Sequence, residues 1–351
     1  MNEQLTNELV RLEREALVAA GHPLDKSKQN KNPKYAQNYF ERYQDNLFAD
    51  FSDEHLAQYE SGNGKELEDV KNYPAKMKSI FSSSAMTFNI LGNGEIRAKD
   101  GNGIFVAGEY KIEYEKKLLT LNTEHSKTHP AHLDAFLLNG TNAIFCEMKM
   151  LEWMRDTPGF LKHAYFDDVN FFSNIAGGEE SLAAFKKMRD ALCAQMAEFS
   201  MKEADKDPHR FGRYDAWQMF KHILGIYNMS SAVTRRDVSA RQGNGITALP
   251  KIKKATLVNV IFEPPVSVFA DNAAQKAYRN ARTKENGEFY IFKKCVEESG
   301  IVAAFKKDCG IEFSLELLTA AEFMDCFELG DRAEYLQRYR LDKMGKKGAE
   351  K

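Results

Sequence analysis

Two mainly apolar runs near the middle of the chain, residues 133–138 and 143–148, are separated by a short polar segment that begins with Asn139-Gly140. Asn-Gly between apolar runs is a strong β-hairpin signal, because both residues tolerate the positive φ of a tight turn. The runs are apolar at successive positions, which is typical of central strands that are covered on both faces of a sheet. The pattern therefore predicts an antiparallel strand pair in the core of the protein.

Three charged residues accompany this hairpin, namely Asp134 in the first strand and Glu147 and Lys149 in the second. Because strand side chains alternate with a period of two, all three are predicted to share one face of the sheet. A two-residue turn at Asn-Gly would place Glu147 diagonally beyond Asp134. A four-residue loop would place the two carboxylates directly opposite each other. In either register, three charges lie close together.

Charged groups in an apolar strand pair are costly to bury unless they pair or bind a metal ion. Two neighbouring carboxylates are typical ligands of Mg²⁺, which polarises a phosphate oxygen and lowers the pKa of a bound water. Lys149 would then orient that water or offset charge that develops on phosphorus. A buried ion pair between Glu147 and Lys149, with Asp134 as a neighbour, explains the same pattern. Glu-x-Lys also recurs at Glu109 and Glu115, so only its apolar context singles it out.

The remaining pattern predicts an α/β protein with a mixed sheet flanked by helices. Residues 1–72 form a helical N-terminal extension, in which leucines recur at helical spacing before an aromatic-rich segment, residues 35–51. Residues 266–351 alternate helix and short strand and end in a Lys-rich tail. Between these regions the pattern predicts helices over 75–91, 179–200 and 212–229, and strands over 118–122 and 255–263.

Composition limits the kind of partner that the protein can have. The 351 residues carry a formal net charge of −2, so any surface that binds DNA must be local rather than a global basic field. The five cysteines are widely spaced and lack a CxxC pair, which argues against a disulfide framework and a zinc cluster. The polar N-terminus and the absence of a long apolar run predict a cytoplasmic protein with no membrane partner.

The best local basic candidate is a polar, Gly-containing loop that follows the predicted helix over 212–229 and carries Arg235, Arg236 and Arg241. Arginine forks suit phosphates and guanine edges, although a solvated loop explains the same residues. A second group of basic residues has near-helical spacing and is typical of a solvated helix face, namely Lys276, Arg279, Arg282 and Lys284. A third group directly precedes the last predicted core strand and is ambiguous, namely Lys251, Lys253 and Lys254.

An Asp on one core strand followed by Glu-x-Lys on the next resembles the PD-(D/E)xK nuclease superfamily. Three further segments support this resemblance over about residues 80–265. Residues 82–91 are similar to the opening helix of a group of bacterial restriction endonucleases within that superfamily. Residues 214–225 resemble the helix beside the active site, which often carries a supporting Gln or Lys, and 255–264 resemble the final core strand.

The chain departs from the family pattern at three places. Leu133 precedes Asp134 where the family has Pro, and His222 stands where some relatives carry Tyr. The opening helix, residues 82–91, has no match to the Glu that often supplies a further ligand. The resemblance therefore leaves open whether one or two metal ions are bound.

The resemblance implies a restriction endonuclease-like mixed β-sheet core over residues 73–265, between the N-terminal extension (1–72) and a C-terminal α/β elaboration (266–351). It implies a Mg²⁺-dependent nuclease, with Mn²⁺ as a substitute, that cleaves DNA phosphodiester bonds in restriction, defence or repair. Asp134 and Glu147 would hold the metal, Lys149 would be the catalytic cation and Gln218 would support it. RNA is an alternative substrate, and a homodimer would allow both DNA strands to be cut.

The same residues also fit proteins of two different kinds. A nucleic-acid-binding or scaffold protein on the same fold, with a decayed site, would carry this motif without cleaving its ligand. An enzyme on another fold would place Asp134 and Glu147 on opposite faces of the sheet. Gln218 also fits a buried structural amide on an apolar helix.

Overall fold

The computed structural model describes residues 3–22, 28–62, 65–71, 73–120, 130–154, 165, 178–200, 211–230, 246, 249–269 and 271–341, with side chains described except at 3–6 and 196–200. The strands are β1 (Glu95–Ala98), β2 (Gly108–Leu118), β3 (Ala131–Asn139), β4 (Asn142–Lys149), β5 (Lys254–Ile261) and β6 (Glu312–Thr319). The α-helices are α1 (Glu3–Ala19), α2 (Asp53–Ser61), α3 (Ser83–Leu91), α4 (Gly178–Ser200), α5 (Ala216–Ser230), α6 (Asn272–Ser299), α7 (Ile301–Ala304) and α8 (Ala320–Asp325).

The strands form one mixed sheet in the order β1-β2-β3-β4-β5-β6. The pairs β1–β2, β2–β3 and β3–β4 are antiparallel, whereas β4–β5 and β5–β6 are parallel. The predicted α/β class and mixed sheet are therefore confirmed. The last strand comes from the region that the sequence assigns to the C-terminal elaboration, so this region contributes an edge of the same sheet.

The central hairpin forms as predicted, with its turn one residue further along the chain than Asn-Gly. Asn139 pairs with Asn142, so the turn consists of Gly140 and Thr141, and Gly140 takes a φ of +56°. Glycine adopts this left-handed conformation without steric cost. The ladder runs back to the pair Ala135 and Cys146, so it ends one residue short of Asp134 and of Glu147. The pairs that form are in the register that the four-residue loop predicts, and the two carboxylates lie just beyond the last of them.

Two hydrophobic clusters cover the two faces of the sheet. The first contains buried residues of α1, α2, α3, α8 and the C-terminal turns, and the second contains those of α4, α5 and α7. Alternation along β5 divides its side chains, since Val258 and Val260 join the first cluster and Ala255 and Leu257 join the second. Burial on both sides explains why the central strands are apolar at successive positions.

Two sequence predictions for local structure are wrong. Of the strand expected over 118–122, only Leu118 is in a strand among the described residues 118–120, as the last residue of the longer β2. The aromatic-rich segment 35–51, predicted as part of a helical extension, forms turns with a single 3-10 turn, Tyr43–Asn46. Here the buried Asn46 side chain donates hydrogen bonds to the carbonyls of Met77 at 2.9 Å and Ser79 at 2.6 Å. Tertiary contacts of this kind override local helix propensity.

The two long helices beside the candidate site have clear N-terminal caps. Asp215 precedes α5 and accepts a hydrogen bond from the backbone N–H of Gln218 at 3.0 Å. Asp271 caps α6 in the same way, by accepting from the N–H of Ala273 at 2.7 Å. Such caps satisfy donors that lack an intrahelical partner. In the described part of the chain, no helix combines the length and apolar character needed to cross a membrane.

Candidate active site

The charged residues of the hairpin lie at the point where the β3–β4 ladder ends, and side chains of α5 contact Glu147 and Lys149. Glu147 is 3% exposed and occupies the sheet face that α5 packs against. Gln218 and His222 are four residues apart on α5, so both side chains lie on the same face of that helix. The elements that position this site are therefore two core strands and one buried helix.

A chain of hydrogen bonds joins three of the four predicted site residues. The Lys149 ammonium donates to Glu147 Oε1 at 2.7 Å and to Gln218 Oε1 at 2.8 Å. On the other side, His222 Nε2 lies 2.9 Å from Glu147 Oε2, so this nitrogen carries the proton that the carboxylate accepts. Glu147 is thus held at both oxygens, and the position of Lys149 is fixed by two acceptors.

Asp134, the fourth predicted residue, lies one residue beyond the last pair of β3 with β4 and is partly exposed. Its Oδ2 accepts the backbone N–H of Met148 at 2.6 Å, next to Glu147 in the chain. Burial raises the pKa of Asp134 well above the usual range for a carboxyl, and the charge of Glu147 raises it further. In this arrangement Asp134 resists ionisation because a second negative charge would lie close to the first.

The other two charges of the site are stabilised by each other. Burial would raise the pKa of Glu147, but the Lys149 charge and the His222 hydrogen bond outweigh it and hold this pKa below its ordinary value. Burial would lower the pKa of Lys149, but the charges of Glu147 and Asp215 outweigh it and raise this pKa above its ordinary value. At neutral pH the site therefore contains a carboxylate and an ammonium beside a carboxyl that resists ionisation.

A divalent cation fits the donor set in chemical terms. Asp134 and Glu147 offer hard oxygen ligands, which Mg²⁺ prefers, and the raised pKa of Asp134 is the effect that a nearby cation would reverse. Within the described ranges, no group of three or more His, Cys, Asp or Glu side chains is arranged to hold a metal ion. A metal at these two carboxylates would therefore take its other ligands from water, substrate or backbone.

Glu115 is a further acid at this site, although in the sequence it looks like part of an ordinary Glu-x-Lys. Tyr114 pairs with Ala135 and Lys116 pairs with Leu133, so Glu115 of β2 lies opposite Asp134. It has a φ of +50°, which a residue with a side chain rarely adopts and which costs of order 1–3 kcal/mol. Its charge contributes to the raised pKa of Asp134. Strained backbone of this kind is concentrated at functional sites.

Beside Lys149 lies a cavity of about 150 Å³, between β4, β5, α5 and α6. Its polar lining includes Glu285 of α6 and Asn259 of β5, which pairs with Glu147 in the sheet. Burial raises the pKa of Glu285 to about 8. Sequence reasoning missed both residues, although Asn259 interrupts an otherwise apolar strand and is the available signal. The cavity is lined by Glu147, Lys149, Glu152, Trp153, Arg213, Asp215, Gln218, Met219, Asn259 and Glu285.

The titration of Glu285 predicts a pH-dependent stability. The native carboxyl keeps its proton up to about pH 8, whereas in the unfolded chain it releases it near pH 4.3. Stability therefore falls as the pH rises through this window. We expect urea denaturation to show that Glu285→Gln reduces the loss of stability between pH 5 and pH 8.5 by about 4 kcal/mol. An exposed control on the same helix, Glu297→Gln, should behave like the wild type, and equal pH dependence in all three proteins would contradict the prediction.

The predicted basic loop with Arg235, Arg236 and Arg241 and the Lys-rich tail lie outside the described residues. On α6, Lys276, Arg279 and Lys284 are exposed. Arg282 instead pairs with Glu263 at 2.7 Å.

Comparison of the chain with protein-family models, with curated proteins and with solved structures found no match. The functional argument therefore depends on the geometry of the site and on its chemistry.

Proposed function

We propose that the protein is a Mg²⁺-dependent nuclease with a restriction endonuclease-like fold, which hydrolyses phosphodiester bonds of DNA. One observation carries the proposal: Asp134 and Glu147 lie together just beyond the last pair of the β3–β4 ladder, while Lys149 is held between Glu147 and Gln218 at 2.7 and 2.8 Å. Two carboxylates and a fixed ammonium are the groups that phosphodiester hydrolysis by activated water requires. This proposal retains the four site residues that the sequence predicts.

Each residue has a defined task in this proposal. Asp134 and Glu147 would hold the metal ion, which polarises a phosphate oxygen and supplies a water of lowered pKa when it is bound. Lys149 offsets the negative charge that develops on the phosphate as the oxygen of water bonds to phosphorus and the leaving oxygen departs. Gln218 and His222 fix the orientation of Lys149 and Glu147. Such preorganisation avoids reorienting these groups during the reaction.

The direct test is cleavage of supercoiled plasmid and of a single-stranded oligonucleotide with Mg²⁺, Mn²⁺ or EDTA. We expect nicking or linearisation with either metal and intact DNA in EDTA, because the water is activated by the bound ion. An RNA oligonucleotide of the same sequence distinguishes the two nucleic acids. Cleavage that continues in EDTA would overturn the metal-dependent mechanism. Absence of cleavage by folded wild-type protein with every metal and substrate would overturn the nuclease proposal.

The assembly state follows from the same proposal. One catalytic site cuts one strand, so linearisation of a duplex in a single binding event calls for two copies related by a two-fold axis. We therefore propose a homodimer on DNA, in a protein that serves restriction, defence or repair in the cytoplasm. A monomer on DNA that only nicks plasmid would contradict this part of the proposal.

A second candidate function is a noncatalytic nucleic-acid-binding or scaffold protein on the same fold. The observation that favours it is that both oxygens of Glu147 already accept from Lys149 and His222, with no three-residue metal group among the described residues. DNA binding that is equal in Mg²⁺ and EDTA, without cleavage, would select this candidate. The plasmid assay above therefore separates the two functions.

A further inference from the structure

The cavity beside Lys149 contains two buried acceptors that need a donor. Asn259 is 4% exposed and Glu285 is 1% exposed, and both line the cavity. No described residue donates a hydrogen bond to Asn259 Oδ1 or to Glu285 Oε2. A buried polar atom without a partner costs about 1–3 kcal/mol, so a ligand that brings two donors would recover this cost.

The size of the cavity limits the ligand to one ring. At about 150 Å³ it has roughly ten times the room that one water needs. An engineered cavity of about 150 Å³ holds a single benzene ring, so a six-membered heterocycle fits where a two-ring purine does not. Trp153 and Met219 supply apolar surface in the lining. The dimensions therefore suit a pyrimidine.

The charge of the lining favours a base over a phosphate. Four acidic side chains line the cavity against two basic ones, Lys149 and Arg213. A phosphate inside the cavity would be repelled by this excess of acidic side chains. A neutral ligand with N–H donors avoids this repulsion.

We propose that this cavity is a subsite for an unpaired cytosine of the substrate, held by Asn259 and Glu285 beside the scissile phosphate. The proposal rests on the nuclease function proposed above. Cytosine carries an amino group with two N–H donors, which matches the two acceptors, and a carboxyl oxygen is the usual acceptor for cytosine N4. Thymine offers a single N–H. The two acceptors therefore distinguish these pyrimidines.

The protonation of Glu285 supports the same base. Because burial raises the pKa of Glu285 to about 8, its carboxyl holds a proton at neutral pH. A carboxylic acid then accepts from cytosine N4 with one oxygen and donates to cytosine N3 with the other. Enzymes that place a base in a pocket read its Watson–Crick edge by such hydrogen bonds. Lys149 lines the same cavity, so the bound base lies next to the proposed catalytic cation.

The test measures nucleoside binding to the full chain by calorimetry in EDTA, so that it depends on neither metal nor cleavage. Deoxycytidine should bind at least tenfold more tightly than thymidine, and deoxyadenosine should not bind. Asn259→Leu and Glu285→Leu should each weaken deoxycytidine binding at least tenfold. Replacing a buried polar group by an apolar one of similar volume is often neutral for folding, and a melting curve checks each variant. Glu297→Leu, on the exposed side of the same helix, is the matched control and should bind like the wild type.

Each outcome decides the proposal. Equal binding of deoxycytidine and thymidine, or no nucleoside binding by folded wild-type protein, would overturn the subsite. Plasmid cleavage without nucleoside binding would overturn the subsite and leave the nuclease. Selective deoxycytidine binding without any cleavage would support the subsite and overturn the nuclease proposal. If one leucine variant fails to fold, the other variant and the nucleoside series still decide.

Discussion

Replacing Lys149 by methionine is expected to lower the rate of plasmid cleavage by about 10³-fold, with little change in DNA affinity. The ammonium is fixed by Glu147 at 2.7 Å and by Gln218 at 2.8 Å, so it is already in position when charge develops on the phosphate. An interaction that strengthens only in the transition state affects kcat rather than binding. Single-turnover cleavage with saturating protein, together with a DNA-binding isotherm, measures the two quantities separately.

Lys116 provides a matched control for this substitution. It is a buried lysine of β2 that pairs with Glu113 at 2.8 Å and lies over the ring of Phe136. Lys116→Met therefore also removes the ion pair of a buried lysine, here with the partly exposed Glu113 and outside the proposed site. We expect it to lower thermal stability while the cleavage rate of the folded protein stays within about threefold of the wild type. Equal loss of cleavage in the two variants, or full activity in Lys149→Met, would show that Lys149 is not the catalytic cation.

The local part of this site could be predicted from the sequence because the hairpin is a short-range structure. Its turn signal and the alternation of side chains are sufficient to place Glu147 and Lys149 on one face of β4. The sequence leaves the register of the β3–β4 pair ambiguous, because the turn can shift by one residue along the chain. In the structure the turn is formed by Gly140 and Thr141, and Gly140 has the left-handed conformation. Helix α5 is also predictable, because its apolar pattern, residues 216–230, is strongly periodic.

The rest of the site required tertiary structure. Glu285 is more than 130 residues beyond Glu147 in the chain, and no local pattern connects α6 to β4. Asn259 reaches the cavity because β5 lies parallel to β4, which requires a crossover that the sequence does not specify. Glu115 lies at the site on β2 and itself adopts a positive φ. Propensity disfavours this conformation, so only packing around it can enforce it.

These distant residues change the interpretation of the hairpin. Glu147 and Lys149 alone fit a structural ion pair as well as a catalytic site. A structural pair does not call for a strained Glu115 opposite Asp134, nor for a neighbouring cavity that contains two unpartnered acceptors. A strained backbone and buried acceptors without a donor both lower stability, and such features persist at functional sites because the surrounding fold compensates for them. The combination is the reason to favour an active site over a purely structural network.

The largest predicted effect on stability lies away from the site, at the buried ion pair of Glu13 and Arg338. Both side chains are completely buried, and Arg338 Nε donates to Glu13 Oε2 at 2.8 Å, which joins α1 to the C-terminal part of the chain. Arg338→Met leaves a buried carboxylate without its partner. We expect a loss of about 3–5 kcal/mol in the free energy of unfolding, measured by urea denaturation at pH 8.

The pH dependence identifies the cause of this loss. Burial raises the pKa of Glu13 to about 7 even with Arg338 present, and removal of the arginine charge raises it further. A carboxyl whose folded pKa exceeds its unfolded value loses stability as the pH rises between the two values. Arg338→Met should therefore destabilise the protein less at pH 5, where Glu13 is protonated, than at pH 8. Equal destabilisation at both pH values would indicate lost packing rather than an unpaired charge.

Two further variants control for the loss of contacts around Arg338. Glu13→Leu combined with Arg338→Met removes both charges, and we expect it to recover most of the lost stability, because apolar replacement of a whole buried pair is often neutral. Arg42→Met removes an ion pair between the exposed Arg42 and Asp45 at 3.2 Å and should change the stability little. If the double variant is as unstable as Arg338→Met, the other hydrogen bonds of Arg338, to the hydroxyl of Tyr335 at 2.9 Å and the carbonyl of Ile80 at 3.1 Å, account for its effect.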